Sequence, residues 1–404
     1  MSARALRVAV VGAGIGGLTT AISLRRKGTD VVVYEQAAEL TEIGAGIAVG
    51  ANASRLLRRM DLLKELDGAA VRPQQIQFHR WCGGEVFCSH EMADAYEKRF
   101  GAPFYTVHRA DVQRVLLEAY LGEGGRLEYG RKCARVTEDA DGVDLVFSDG
   151  SAERADVVIG ADGVHSAVRE AITGPDLPAF SGTSGYRGLV PVERLPRLPE
   201  LGFDPHHPKL WLFPGPGRHL ISYPVSGGRL VNFLAVVPDP EWTLESWVAR
   251  GEVSEAVAAF EGWNEVVAIL LGGVDTISRW ALYDREPLSR WSTARMTLLG
   301  DAAHPMLPHQ GQGANQAIED AVVLADCLAG TWSGEVASAL RRYESVRKPR
   351  ARQLQMASRR NRECFQVPDG PRAVERDERL TQLPDDLAWI HGHDAQLEVL
   401  AAAH

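Results

Sequence analysis

Apolar residues recur along this chain in two rhythms. Arg7 to Val11 is a short run of consecutive apolar positions, the mark of a strand covered on both faces. Leu18, Ala21 and Ile22 then follow at helical spacing up to Gly28, and DVVVYE, residues 30–35, is a second apolar strand. ADVVIG at 155–160 and MTLLG at 296–300 repeat the first pattern, each running into a glycine-bearing turn and then a helix. Strands that alternate with helices predict a parallel sheet. Residues 73–102 and 176–280 lack that rhythm. They hold short apolar strands at close intervals, among them PKLWLF, HLISYPV and RLVNFLAVV, which predict an antiparallel sheet.

Composition narrows the class. With 45% apolar and 24% charged residues, the 404-residue chain has the balance of a globular protein large enough for more than one core. A net charge of -9 argues against nucleic acid as a partner, because phosphate backbones require a positive footprint. Arginines concentrate between Arg341 and Arg362, but Glu344, Gln353, Gln355 and Glu363 interrupt them, so the run reads as a solvated helix face. No stretch approaches the roughly 20 apolar residues of a membrane helix. The five cysteines are odd in number and lack metal-ligand spacing, so the expectation is free thiols, no metal and a cytoplasmic setting.

The first turn carries specific chemistry. Gly12-Ala13-Gly14-Ile15-Gly16-Gly17 sits between a strand and a helix, and Glu35 ends the next strand about 20 residues on. Gly12 allows the tight turn, Gly14 the approach of a pyrophosphate, and Gly17 the close packing of helix on strand. The helix start offers free N–H groups to phosphate, and Glu35 can accept from both ribose hydroxyls. A carboxylate there repels a 2′-phosphate, which selects FAD or NAD over NADP. The fold expected is α/β (α+β): a Rossmann-like dinucleotide domain with a parallel sheet, a second domain with an antiparallel sheet, and C-terminal helices. The boundaries assigned are 1–72, 103–175 and 281–335 for the discontinuous dinucleotide-binding domain, 73–102 and 176–280 for the second, substrate domain, and 336–404 for the C-terminal helical segment and tail.

Five motifs in order, GAGIGG at 12–17, IGAGI at 43–47, HRADV at 108–112, Asp162-Gly163 and GDAAHPMLPHQGQG at 300–313, carry a resemblance. The chain resembles the class A flavin-dependent aromatic hydroxylases, most closely their salicylate hydroxylase and 6-hydroxynicotinate 3-monooxygenase branch. The resemblance implies resident FAD, NADH or NADPH as co-substrate, and O₂ activated as a flavin C4a-hydroperoxide. It places Gly12, Gly14, Ile15, Gly16 and Gly17 at the pyrophosphate, Glu35 and Gln36 at the adenosine ribose, and Arg109 at the phosphate and ribityl region. Asp162 lies on the pyrophosphate side and Asp301 at a ribityl hydroxyl, while Gly46 and Ile47 line the flavin. The stretch MLPHQGQGAN joins a stiff segment to an exposed helix start. Proline fixes φ, so Pro308 would form a wall, and Gly311, Gly313, Ala314 and Asn315 would turn bare amides toward the negative edge of a reduced flavin.

The same resemblance places His219, Tyr223 and His309 at the substrate, as candidate bases for a phenol, with Tyr186 and Arg187 near the pocket mouth. Strand alternation puts Trp211 on one face with Phe213, and His219, Ile221 and Tyr223 on one face. Trp211 and Ile221 are expected in an apolar wall, and Arg187 is a candidate contact for a carboxylate. Relatives acting on hydroxynicotinate carry a histidine where this chain has Ala48. That favours a hydroxybenzoate-like or salicylate-like ring, including one with an extra amino or hydroxyl substituent, over a hydroxypyridine. The partners expected are thus a small aromatic substrate and O₂, with no membrane, for a monomer or homodimer. A decarboxylating hydroxypyridine hydroxylase and a flavoprotein reductase that hydroxylates nothing remain the alternatives.

Overall fold

The computed structural model describes residues 6–40, 45–176, 178–202, 204, 207–239 and 250–401. Five parallel strands form the first sheet, in the order Met296–Leu298, Val157–Gly160, Arg7–Val11, Asp30–Tyr34 and Arg126–Glu128. The three runs read as buried strands are adjacent, and all three end at the same edge. Their valines and leucines are covered on both sides, as a parallel sheet flanked by helices requires. Helix Ile15–Arg26 lies against helix Gly313–Leu328 on one side of this sheet. Cys133–Glu138, Val143–Phe147 and Ala152–Ala155 form a small antiparallel sheet beside it.

The second sheet has eight strands and is antiparallel except where Lys209–Gly215 pairs with Gln75–His79. Its order is Arg250–Gly251, Ile277–Asp284, Ala179–Pro191, Leu230–Pro238, Arg218–Val225, Lys209–Gly215, Gln75–His79 and Val86–Glu91. Strand Ile277–Asp284 crosses the position assigned to the domain boundary, so the sheet keeps residues 281–284. One face packs on helices Val253–Ala259 and Glu265–Gly272, with Trp211, Phe213, Leu220 and Phe233 in that core. The other face looks toward the glycine turns of the first sheet.

The arginine-rich segment forms a helix, Val336–Phe365, and here the expectation of a solvated face is corrected. Arg347 is 0% exposed and Arg350 8%. Charge alternation along one helix cannot reveal that a neighbouring helix buries two carboxylates, Glu319 and Asp320, against it. Arg350 also donates to the carbonyls of Trp389 and Ile390, which docks the C-terminal segment on the first domain. Among the described residues no helix is long and apolar enough to cross a membrane, no group of three acidic, His or Cys side chains is placed to hold a metal, and all five cysteines are free.

Candidate active site

A cavity of about 650 Å³ runs from the glycine turns to the open face of the eight-stranded sheet. Its floor is built by two helix starts. Gly14 caps helix Ile15–Arg26 without any side-chain bond, and Gln312 caps helix Gly313–Leu328 in the same bare way. The leading N–H groups of each helix lack acceptors within the helix, as helix starts always do. Both starts line the cavity, which gives it two positive dipole ends.

The glycines are required by contact. Gly12 has φ +104, and a Cβ there would meet Ala161 O at 2.4 Å. A Cβ on Gly17 would fall 2.0 Å from Gly12 O, whereas Gly14 has nothing within 4 Å of that position and faces open space. Glu35 is aimed at the same turn. Its Oε2 accepts from Ala13 N at 2.8 Å and its Oε1 from Ala37 N at 2.9 Å. Gln36 beside it is exposed. Across the cavity, Asp301 lines the wall with its carboxylate near the Gly313 start, and among the described residues no protein donor meets that carboxylate. Ile47, Gly46 and Arg109 line the intervening wall, with Ile43 and Gly44 outside the described residues. This donor and acceptor set fits FAD: bare N–H groups for phosphates, and carboxylates for sugar hydroxyls.

Two of the expected cofactor residues spend their side chains on bonds within the protein. Asp162 turns its carboxylate onto helix Ala167–Thr173, accepting from Ala167 N at 2.8 Å and from the Ser166 hydroxyl. Burial pushes its pKa up even against those donors. Its neighbours Ala161 and Gly163 line the cavity in its place. The Asn315 side chain is committed to strand Gly46–Val49, accepting from Gly50 N and donating to Ala48 O and Gly311 O. It cross-links the flavin-side strand to the helix start and leaves the helix N–H free.

The roof comes from the second sheet. His219, Ile221 and Tyr223 share its cavity face, joined by Leu210, Leu212, Leu234, Arg187 and Trp280. Trp211 and Tyr186 do not line the cavity. Trp211 packs in the core on the far face with its indole donating to Gln77, and Tyr186 lies there under the Arg279 guanidinium. Alternation shows which residues share a face and leaves open which face is wet. Trp280, Leu234 and Leu282 were not anticipated, since no local pattern marks one position of a strand as ligand-facing.

His309 begins after Pro308 in a single turn, Pro308–Gln310, that Gly311 closes at φ 62. Asn361, from the long helix, donates to the His309 carbonyl at 3.2 Å and holds that turn. The ring is buried, neither nitrogen has a partner, and it meets His219 edge to face at 5.1 Å. Burial lowers the pKa of both, His219 to about 3 and His309 well below its usual value, so each imidazole is a neutral acceptor. Tyr223 is pushed up to about 12 by burial and stays a neutral phenol.

A neutral buried His219 fixes the sign of a stability effect. Its folded pKa lies below the unfolded value of about 6.5, so the unfolded chain takes up the proton first as pH falls. Its contribution is intact above about pH 6.5 and declines below it by about 1.4 kcal/mol per unit. Between pH 6.5 and 4.5 the wild type is expected to lose about 2–3 kcal/mol more than His219→Leu in urea titrations. Parallel pH profiles for the two proteins would refute this.

The FAD binding domain family matches residues 5–358 of this chain. A 3-amino-4-hydroxybenzoate 2-monooxygenase of Streptomyces platensis is 46% identical over 391 residues, covering 96% of each chain. A 6-hydroxynicotinate 3-monooxygenase of Bordetella bronchiseptica is 38% identical, covering 98% of this chain and 97% of its own. Among solved structures, a salicylate hydroxylase substrate complex superposes with a TM-score of 0.82 at 30% identity over 98% of both chains. With two bare helix starts and a glycine turn opening on one cavity, the chain belongs to the FAD binding domain family.

Proposed function

We propose that the protein is a single-component FAD monooxygenase that hydroxylates a small electron-rich aromatic ring of the hydroxybenzoate type, amino-substituted as in its Streptomyces relatives. The observation that carries this reading is the continuity of one cavity from the dinucleotide turn to a roof bearing His219, with His309 of the Pro308–Gln310 turn against it, both neutral. FAD, when bound, supplies reductive activation of O₂, with NADH or NADPH as the electron source. The remaining work belongs to the chain. Gly12 to Gly17 and the Gly313 start hold phosphate and flavin through N–H groups, while Glu35 and Asp301 accept from sugar hydroxyls. Ile221, Leu234 and Leu212 exclude water from above the ring. His309, neutral and with neither ring nitrogen partnered, accepts from the phenol hydroxyl and draws its proton off as the ring is attacked, which makes the ring carbon the better nucleophile.

The test is purified protein given 3-amino-4-hydroxybenzoate, salicylate or 6-hydroxynicotinate with NADH or NADPH, and products identified by mass. A product heavier by one oxygen with a benzoate supports the reading. NAD(P)H oxidation that yields no oxygenated ring with any of them removes it. Within that assay, His309→Ala is expected to lower hydroxylation per NAD(P)H oxidised about 100-fold. Unchanged coupling would show that His309 takes no proton.

A further inference from the structure

We infer that Arg187 is the anchor for a carboxylate carried by the aromatic substrate, set at the opposite end of the ring from the hydroxyl that meets His219 and His309. This rests on the hydroxylase reading and goes further, because it assigns the specificity for an anionic ring to one side chain.

Three observations converge on it. Arg187 lines the cavity with its Nε buried and without a partner, and among the described residues no carboxylate pairs with it. The guanidinium opens on a largely apolar cavity without a counter-ion, and shielding it from water as a ring fills that cavity is favourable only if an anion comes with the ring. The Tyr223 hydroxyl on the same cavity remains protonated and is no counter-ion. Burial lowers Arg187 to about 10, which still leaves it a cation at neutral pH. Secondly, the guanidinium lies 4.7 Å over the Trp280 ring, which fixes its plane and leaves its edge for two parallel bonds to one carboxylate.

The third observation is strand register. Arg187 is opposite Leu234, and Leu234 is opposite Ile221, two residues from His219 on the same strand. Two strand steps of about 4.8 Å and two residues of about 3.4 Å separate the Cα atoms of Arg187 and His219 by about 12 Å. A guanidinium reaching in from one end and an imidazole from the other leave a gap that one hydroxybenzoate fills. Leu234 and Ile221 lie between them as the apolar cover of the ring. An anionic edge of the cofactor has the same chemistry as a carboxylate, so the experiment must separate the two.

Calorimetry on FAD-loaded protein compares 3-amino-4-hydroxybenzoate with its carboxamide, alongside FAD affinity of the apoprotein. Wild type is expected to bind the acid about 100-fold more tightly than the amide. Arg187→Gln should erase that preference while leaving amide binding and FAD affinity as they were, and Arg187→Lys should restore part of it. A wild type that binds acid and amide equally, or neither, overturns the anchor. So does an Arg187→Gln protein that keeps the preference, or one that loses FAD affinity in its stead, which would place the anion on the cofactor. The readout is binding, so it stands or falls apart from product formation, which alone decides whether the ring is hydroxylated.

Discussion

Arg347→Met is expected to destabilise the protein by about 3–5 kcal/mol in urea or guanidinium titration. Arg347 is 0% exposed and sits between two carboxylates that are equally buried. Its Nη1 meets Glu319 Oε2 at 2.6 Å, its Nε meets Asp320 Oδ1 at 2.8 Å, and its Nη2 donates to Gln316 Oε1 at 2.7 Å. Burial alone would push both acids up. Arg347 with Arg350 holds Glu319 below the usual carboxylate range, and His304 with Arg347 does so for Asp320. Methionine matches much of the volume and carries no charge, so the loss measures an acid pair left short of a cation. The deficit should shrink as pH falls toward 5, because the acids in the variant regain protons that make burial tolerable. The damage should also reach the cofactor, since Asp320 accepts from Gly300 N at 3.0 Å and from the His304 ring, fixing the turn that carries Asp301. A loss below about 1 kcal/mol would mean that Arg350 and His304 neutralise the site unaided.

That network marks the limit of what sequence carries. The dinucleotide turn was legible because its determinants are local: a strand, three glycines at fixed offsets and a carboxylate ending the next strand all act on one ligand within one βαβ unit. The strands of the roof were legible too, as apolar runs. Their orientation was not, because period-two alternation yields two faces and names neither. Trp211 and Tyr186 went to the far core, while Leu212 and Arg187, each one residue along the chain, took the cavity. Asp162 shows a different limit. Its oxygens serve a helix start six residues or fewer away, and nothing in the string Gly160-Ala161-Asp162-Gly163 separates capping a helix from holding a cofactor. The charged face of helix Val336–Phe365 failed for a third reason, since its partners lie on another helix of the fold.

Gly14→Asp and Gly17→Ala are expected to damage the protein in opposite ways, although the residues stand three apart in one turn. At Gly14 a Cβ meets no atom within 4 Å, so the variant should fold with wild-type stability as apoprotein. Its carboxylate would enter the space in front of the bare helix start, where a cofactor phosphate must come. Two like charges about 4 Å apart repel by about 4 kcal/mol at an effective dielectric of 20. FAD affinity should therefore fall about 1,000-fold, read from reconstitution of apoprotein by flavin fluorescence. At Gly17 the added methyl would lie 2.0 Å from Gly12 O and 3.3 Å from the Ala161 methyl, so helix and strand must separate. That variant should lose stability whether or not FAD is present, by about 1–3 kcal/mol or more for an overpacked contact with rigid backbone. If Gly14→Asp binds FAD as tightly as wild type, the phosphates do not lie at this helix start. If Gly17→Ala is as stable as wild type, the close approach of helix to strand is not what requires glycine there.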